Sequence, residues 1–176
     1  MKRIKTPFEL EKARKSILAG YDSSRPCITV CKGTGCSASG ASAVVVAFRE
    51  EIKKQKLETK IDIRTTGCHG FCERGPLVVI YPEGVFYQRV STEDVAEIVS
   101  QTVTGARIIE RLLYIDPVTK EKVVHENEVP FYNKQLRLIF GNNGRIDPTE
   151  IRDYIGLGGY SSLSKVLFEM KPQDVI

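Results

Sequence analysis

The sequence predicts an α/β domain of order βαβββα, preceded by an N-terminal helix and followed by a linker and a small helical segment. Three observations carry this. Two short β-branched runs each open into a glycine-rich loop and are separated by a stretch of helical periodicity. An apolar hairpin surrounds Pro82-Glu-Gly84, and a capped helix closes at Gly105. With 176 residues, 41% of them apolar, the chain can form a small domain with extensions.

The elements follow in order. Thr6-Pro-Phe-Glu9 reads as a helix start, with Thr6 as N-cap, Pro7 in the first turn and Glu9 closing a capping box. That helix runs to about Gly20 with a modest apolar stripe of Phe8, Ala13, Ile17 and Leu18, as expected of a surface or docking helix. Cys27-Ile-Thr-Val-Cys31 is a short buried strand, and Lys32 to Gly40 a glycine-rich loop. Ala41, Val44, Val45, Phe48 and Ile52 recur at helical spacing over 39–55, although three consecutive valines lower helix propensity. Lys60 to Thr65 alternates as a half-buried strand before a second glycine-rich loop, Thr66 to Pro76. Leu77–Tyr81 and Val85–Arg89 form the hairpin, and Ser91 caps a helix reaching about Thr104. Residues 106–129 read as a linker because 115–127 is polar. Asp147-Pro148 reads as a further helix start, Gly158-Gly159 as a break, and about Tyr160 to Met170 as a last helix that Pro172 terminates.

The net charge of +4 narrows the function classes. All of the excess lies in the first twenty residues, six basic against two acidic, so the fold carries no basic face and nucleic acid is not an expected partner. The longest purely apolar run, Ala43–Phe48, is far short of the roughly 18 residues of a membrane span. Met1-Lys-Arg-Ile-Lys has signal-peptide charge but no apolar stretch follows it, so a cytoplasmic location is expected. In a reducing compartment five cysteines point to metal or redox chemistry before disulfides.

Four of the cysteines form Cys31-x4-Cys36 and Cys68-x3-Cys72, each pair in a loop after a strand. If those strands are parallel neighbours joined by a right-handed crossover, both loops emerge at one sheet edge and four thiolates converge. Structural zinc with four cysteines, in an interaction module, usually uses C-x2-C knuckles. A thiol-disulfide oxidoreductase also prefers C-x2-C and needs one pair. A [2Fe–2S] rhomb needs two thiolates per iron, and longer loops can wrap backbone N–H groups around the sulfurs. Gly33, Gly35, Gly67 and Gly70 suit that wrapping. Spacing alone favours iron–sulfur and leaves the two alternatives open.

The strings Cys31-Lys-Gly-Thr-Gly-Cys36 and Thr66-Gly-Cys68-His-Gly-Phe-Cys72-Glu-Arg-Gly-Pro76 resemble the thioredoxin-like [2Fe–2S] ferredoxin family over about Arg25 to Gly105. The resemblance implies a thioredoxin-like fold, cluster ligation by Cys31, Cys36, Cys68 and Cys72, and one-electron transfer. Pro130–Gln135, Gly144–Pro148 and Tyr154–Tyr160, followed by Leu163, Lys165 and Leu167, resemble the segment that opens the flavin-binding subunit of NADH dehydrogenases and NAD-linked iron hydrogenases. That implies a module of a multi-subunit NADH-oxidising complex, whose other subunits carry flavin and iron–sulfur centres, with FMN and NADH sites expected only in the larger enzyme. The expected organisation is a basic helix over 1–24, the ferredoxin domain over 25–105, a linker over 106–129 and a truncated or split flavin-subunit opening over 130–176. Cys27 reads as a small buried hydrophobe and His69 as packed behind the ligands. Pro76 stands where thioredoxin-like folds often hold a cis proline, and its isomer is left open.

Overall fold

A computed structural model describes residues 3–176; Met1 and Lys2, the start of the expected basic segment, lie outside the described residues. The chain divides into two compact units, one of residues Ser23–Asp147 and one joining the residues up to Asp22 with Pro148–Ile176.

The larger unit is built on a four-stranded sheet of order β2-β1-β3-β4, from β1 (Cys27–Cys31), β2 (Asp62–Thr66), β3 (Val78–Tyr81) and β4 (Val85–Tyr87). β1 pairs parallel with β2, Cys27 opposite Asp62 and Cys31 opposite Thr66. On its other side β1 pairs antiparallel with β3, and β3 with β4. This central place buries every residue of β1, polar Thr29 included, whose hydroxyl donates to the Val79 carbonyl at 3.0 Å.

The expected loop after β1 contains one helical turn, α2 (Thr34–Ala38); Gly40, at φ +95°, then separates it from α3 (Ala41–Lys54). On α3 the residues Ala41, Val44, Val45, Phe48 and Ile52 are buried, and the packing they make outweighs the poor propensity of the valine run. The closing helix, α4, spans 92–103. It starts at a Ser91/Asp94 capping box, passes from a 3-10 turn (Thr92–Asp94) into an α turn (Val95–Glu97), and widens to π geometry at Ile98–Val103.

The expected linker is instead part of this unit. Ile109, Leu112, Leu113, Tyr114 and Val129 are buried, and the polar stretch between them is a small hairpin of β5 (Tyr114–Ile115) and β6 (Lys122–Val123). The segment covers the β4 edge: Phe86 N–H donates to Val124 O, Gln88 N–H to Leu112 O and Glu126 N–H to Gly84 O. Tyr87 fixes its start from the core. The Thr102 hydroxyl donates to Arg107 O at 2.9 Å, so Tyr87 O–H donates to Thr102 at 2.7 Å and accepts the Ile109 N–H at 2.9 Å. A short helix, α5 (Pro130–Asn133), and the stretch to Asp147 complete the unit.

In the smaller unit α1 (Pro7–Ala19) packs against α6 (Ile151–Gly156) and α7 (Ser161–Glu169), with α8 (Pro172–Val175) last. Thr6 caps α1 as expected, accepting from the Glu9 N–H at 3.2 Å, but the Glu9 carboxylate takes the Lys5 N–H and not that of Thr6. Asp147 caps no helix: its carboxylate accepts from the Thr65 hydroxyl of β2, and α6 begins only at Ile151. Pro172, expected as a terminator, opens α8, where its missing N–H costs nothing.

Phe48 has no solvent exposure, so Phe48→Ala should cost about 3–5 kcal/mol in denaturant unfolding. Val46→Ala on the outer face of the same helix should stay within about 0.5 kcal/mol.

Candidate metal centre

Parallel pairing sends the ends of β1 and β2 to one edge of the sheet, and the two cysteine pairs meet there. Cys31 is the last residue of β1, and Cys36 lies on α2 one turn further on. Cys68 follows β2, and Cys72 opens the 3-10 turn Cys72–Arg74. Cys31 and Cys36 are buried at 1% and 0% exposure, Cys68 is half-buried and Cys72 is exposed. The site therefore has an inner pair and an outer pair. Within the outer pair the sulfurs are 3.6 Å apart, and in the inner pair the Cys31 thiol donates to the Gly67 carbonyl at 3.5 Å. Cys27 is buried at the opposite end of β1, about 13 Å away along an extended strand, and takes no part.

The loops interlock because two residues lack side chains. A Cβ on Gly33 would lie 2.7 Å from the Cβ of Cys68, and one on Gly35 would lie 2.9 Å from the Cβ of Cys72. Gly75, which sequence reasoning passed over, is the reciprocal contact, with a Cβ there 2.7 Å from Cys36 Sγ. Gly67 imposes no such limit, since Asn143 stands at ordinary contact distance. The Gly75–Pro76 bond is cis, answering the question left open, and Pro76 leads into β3 beside the inner pair.

Left to themselves, the paired thiols share charge unequally. The hydrogen bond from Cys36 pulls Cys31 down to about 5 against the cost of burial, helped by the N–H groups of His69 and Gly33. The same bond, burial and the Cys31 charge push Cys36 far up. Cys72 is likewise raised by its bond with Cys68. Cys31 and Cys36 thus resist ionising together, and the four thiols fall into two close pairs. The division is two and two, as a two-iron rhomb demands. Backbone donors face the sulfurs as well: the Gly70 N–H reaches Cys68 Sγ at 3.3 Å. These donors, the close glycine contacts and the paired thiols fit a small anionic cluster.

His69 is packed as expected, at 1% exposure. Its Nε2 is 3.0 Å from the Thr66 hydroxyl, and its Nδ1 is 3.3 Å from a Glu126 carboxylate oxygen, at ion-pair distance without hydrogen-bond alignment. Burial disfavours the Glu126 charge, but contact with His69 and a 2.8 Å bond from the Tyr81 phenol hold its carboxyl below the usual range.

The residues that sequence reasoning missed come from 126–144, which wraps the outer loop. Phe131 stacks on Phe71 at 4.4 Å between ring centres and lies over Gly70. Arg137 donates to the His69 carbonyl at 2.6 Å and sits 5.1 Å over the Tyr132 ring. Asn143 donates to the Cys68 carbonyl at 3.1 Å, and Gly144 lies flat against the His69 ring. Spacing offers no signal for these, since each acts on a loop far away in the chain, Arg137 and Asn143 on its backbone carbonyls and Phe131 and Gly144 on its rings.

A family model described as thioredoxin-like [2Fe-2S] ferredoxin matches residues 21–103. The 2Fe-2S ferredoxin of Clostridium pasteurianum is 38% identical over 77 residues, 44% of this chain and 76% of that protein. The NADP-reducing hydrogenase subunit HndC of Solidesulfovibrio fructosivorans is 54% identical over 43 residues, 24% of this chain and 9% of that subunit. A solved thioredoxin-like [2Fe-2S] ferredoxin from Aquifex aeolicus aligns with a TM-score of 0.46 at 36% identity, covering 50% of this chain and 88% of that one. With its βαβββα core and two interlocked cysteine loops, the chain belongs to the thioredoxin-like [2Fe–2S] ferredoxin family.

Proposed function

We propose that the chain carries single electrons through one [2Fe–2S] cluster held by Cys31 and Cys36 on one iron and by Cys68 and Cys72 on the other. The observation that carries this is the two-by-two gathering of the four thiols at the shared edge of β1 and β2. When bound, the cluster supplies a one-electron redox centre. The chain's own residues do the rest. Burial on β1 and α2 keeps water from the inner pair, while the Gly70 N–H offsets negative charge on Cys68. The exposed Cys72 side is the face through which a partner exchanges electrons.

We further infer that this electron transfer serves a multi-subunit NADH-oxidising dehydrogenase or NAD-linked hydrogenase, with flavin and further iron–sulfur centres on partner subunits. The likeness to a hydrogenase subunit supports this, as do the tail strings around Pro130, Gly144 and Tyr154. Among the described residues no helix is long and apolar enough to cross a membrane, and five cysteines outside any disulfide suit a reducing compartment such as the cytoplasm.

Anaerobically purified protein should be reddish brown, hold two irons and two sulfides per chain, and give an electron paramagnetic resonance signal after dithionite; a colourless preparation with one zinc per chain would sink this reading. Cys31→Ser, Cys72→Ser and Gly35→Ala should each lose most of the visible absorbance, the last by pressing a methyl against Cys72, whereas Cys27→Ser should keep it. Equal loss in Cys27→Ser would overturn the ligand assignment. NADH should reduce the isolated chain only when a flavin-bearing partner subunit is added, which stopped-flow absorbance can follow.

A further inference from the structure

The segment 126–144 lies beyond the family match, yet two of its side chains end on the backbone of the outer cysteine loop. Arg137 contacts a carbonyl whose own peptide unit presents its N–H to a ligand sulfur, and Asn143 holds the carbonyl just before it. Arg137 Nη2 donates to the carbonyl of His69 at 2.6 Å, and the other end of that peptide is the Gly70 N–H, 3.3 Å from Cys68 Sγ. Asn143 Nδ2 donates to the carbonyl of Cys68 at 3.1 Å, on the peptide that adjoins it.

We propose that Arg137, with Asn143 steadying the adjoining peptide, is a positioning residue that raises the reduction potential of the cluster by polarising the peptide unit that donates to Cys68. This rests on the cluster assignment above. The amide is a conjugated unit, so a donor on its oxygen draws density from nitrogen and makes the N–H a stronger donor. A cationic donor does so more than a neutral one, which gives Arg137 the larger share. A stronger N–H···S bond favours the reduced, more negative state. The geometry keeps Arg137 in place: its guanidinium lies over the Tyr132 ring, and it is partly buried, where salt screens little. The Phe131–Phe71 stack and the contact of Gly144 with His69 fix the segment on both sides of these donors.

The test is a set of redox titrations on anaerobic, cluster-loaded protein, with iron, sulfide and visible spectrum measured alongside. Arg137→Met should lower the midpoint by the equivalent of about tenfold in the oxidised-to-reduced ratio at fixed ambient potential, some 59 mV for one electron. Asn143→Leu should shift it the same way by less, and Arg137→Lys should recover most of the loss. Arg49→Gln, which removes the same charge from the exposed face of α3, should leave it unmoved. In the reduced protein the hyperfine coupling of exchangeable protons should weaken in Arg137→Met and Asn143→Leu. If Arg137→Met fails to retain its cluster, Asn143→Leu and Arg137→Lys decide. Unchanged potentials at full cluster content overturn this inference alone, as does an equal fall in Arg49→Gln. A wild-type chain holding zinc in place of iron and sulfide overturns the cluster assignment and this inference together.

Discussion

The parallel ladder between β1 and β2 is the constraint on which the rest depends. Its register sets Cys31 opposite Thr66, so the two loops leave the sheet at the same level and in the same direction. A slip of one residue would turn Cys31 to the other face of the sheet and separate the loops. β1 can hold that register because it is paired on both sides and buried throughout, with α3 packed over it. The small residues of the loops then decide how closely the pairs approach. Gly33 and Gly35 sit against the backbone of the second loop, Gly75 sits against the first, and little play remains.

A second layer of organisation lies outside the βαβββα core. Residues 106–129 close the free edge of β4, and 130–147 continue along the outer cysteine loop, ending where Asp147 takes the Thr65 hydroxyl on β2. The unit that folds together is therefore longer than the stretch matching the ferredoxin family. The addition touches the loop mainly through backbone carbonyls and one aromatic stack, so it constrains the geometry of Cys68 and Cys72 without contributing a thiol.

Features with a local rule were legible in the sequence. The cysteine pairs, the α3 stripe, the Ser91 cap and the Thr6 cap follow from spacing and capping chemistry, and the strands from β-branched content. Features set by distant partners were not. The polar stretch 115–127 imitates a linker because a two-stranded hairpin exposes most of its side chains, while the residues that anchor it, Ile109 to Tyr114 and Val129, flank it. Asp147 has the sequence of a cap but spends its carboxylate on Thr65, eighty-two positions earlier. Arg137 and Asn143 serve carbonyls of a loop about seventy residues away, and no periodicity encodes such a contact. Gly75 could have been found: it precedes a proline within the ligand motif, and its neighbour Cys36 lies in the other loop.

The unequal burial of the two pairs also gives the centre a direction of wear. Cys31 and Cys36 stand behind β1 and α2, whereas Cys72 faces solvent. An iron held by Cys68 and Cys72 is the one that dioxygen, chelators and competing thiols reach first. A cluster held as proposed would then lose metal first at the rim, while the inner pair is still enclosed.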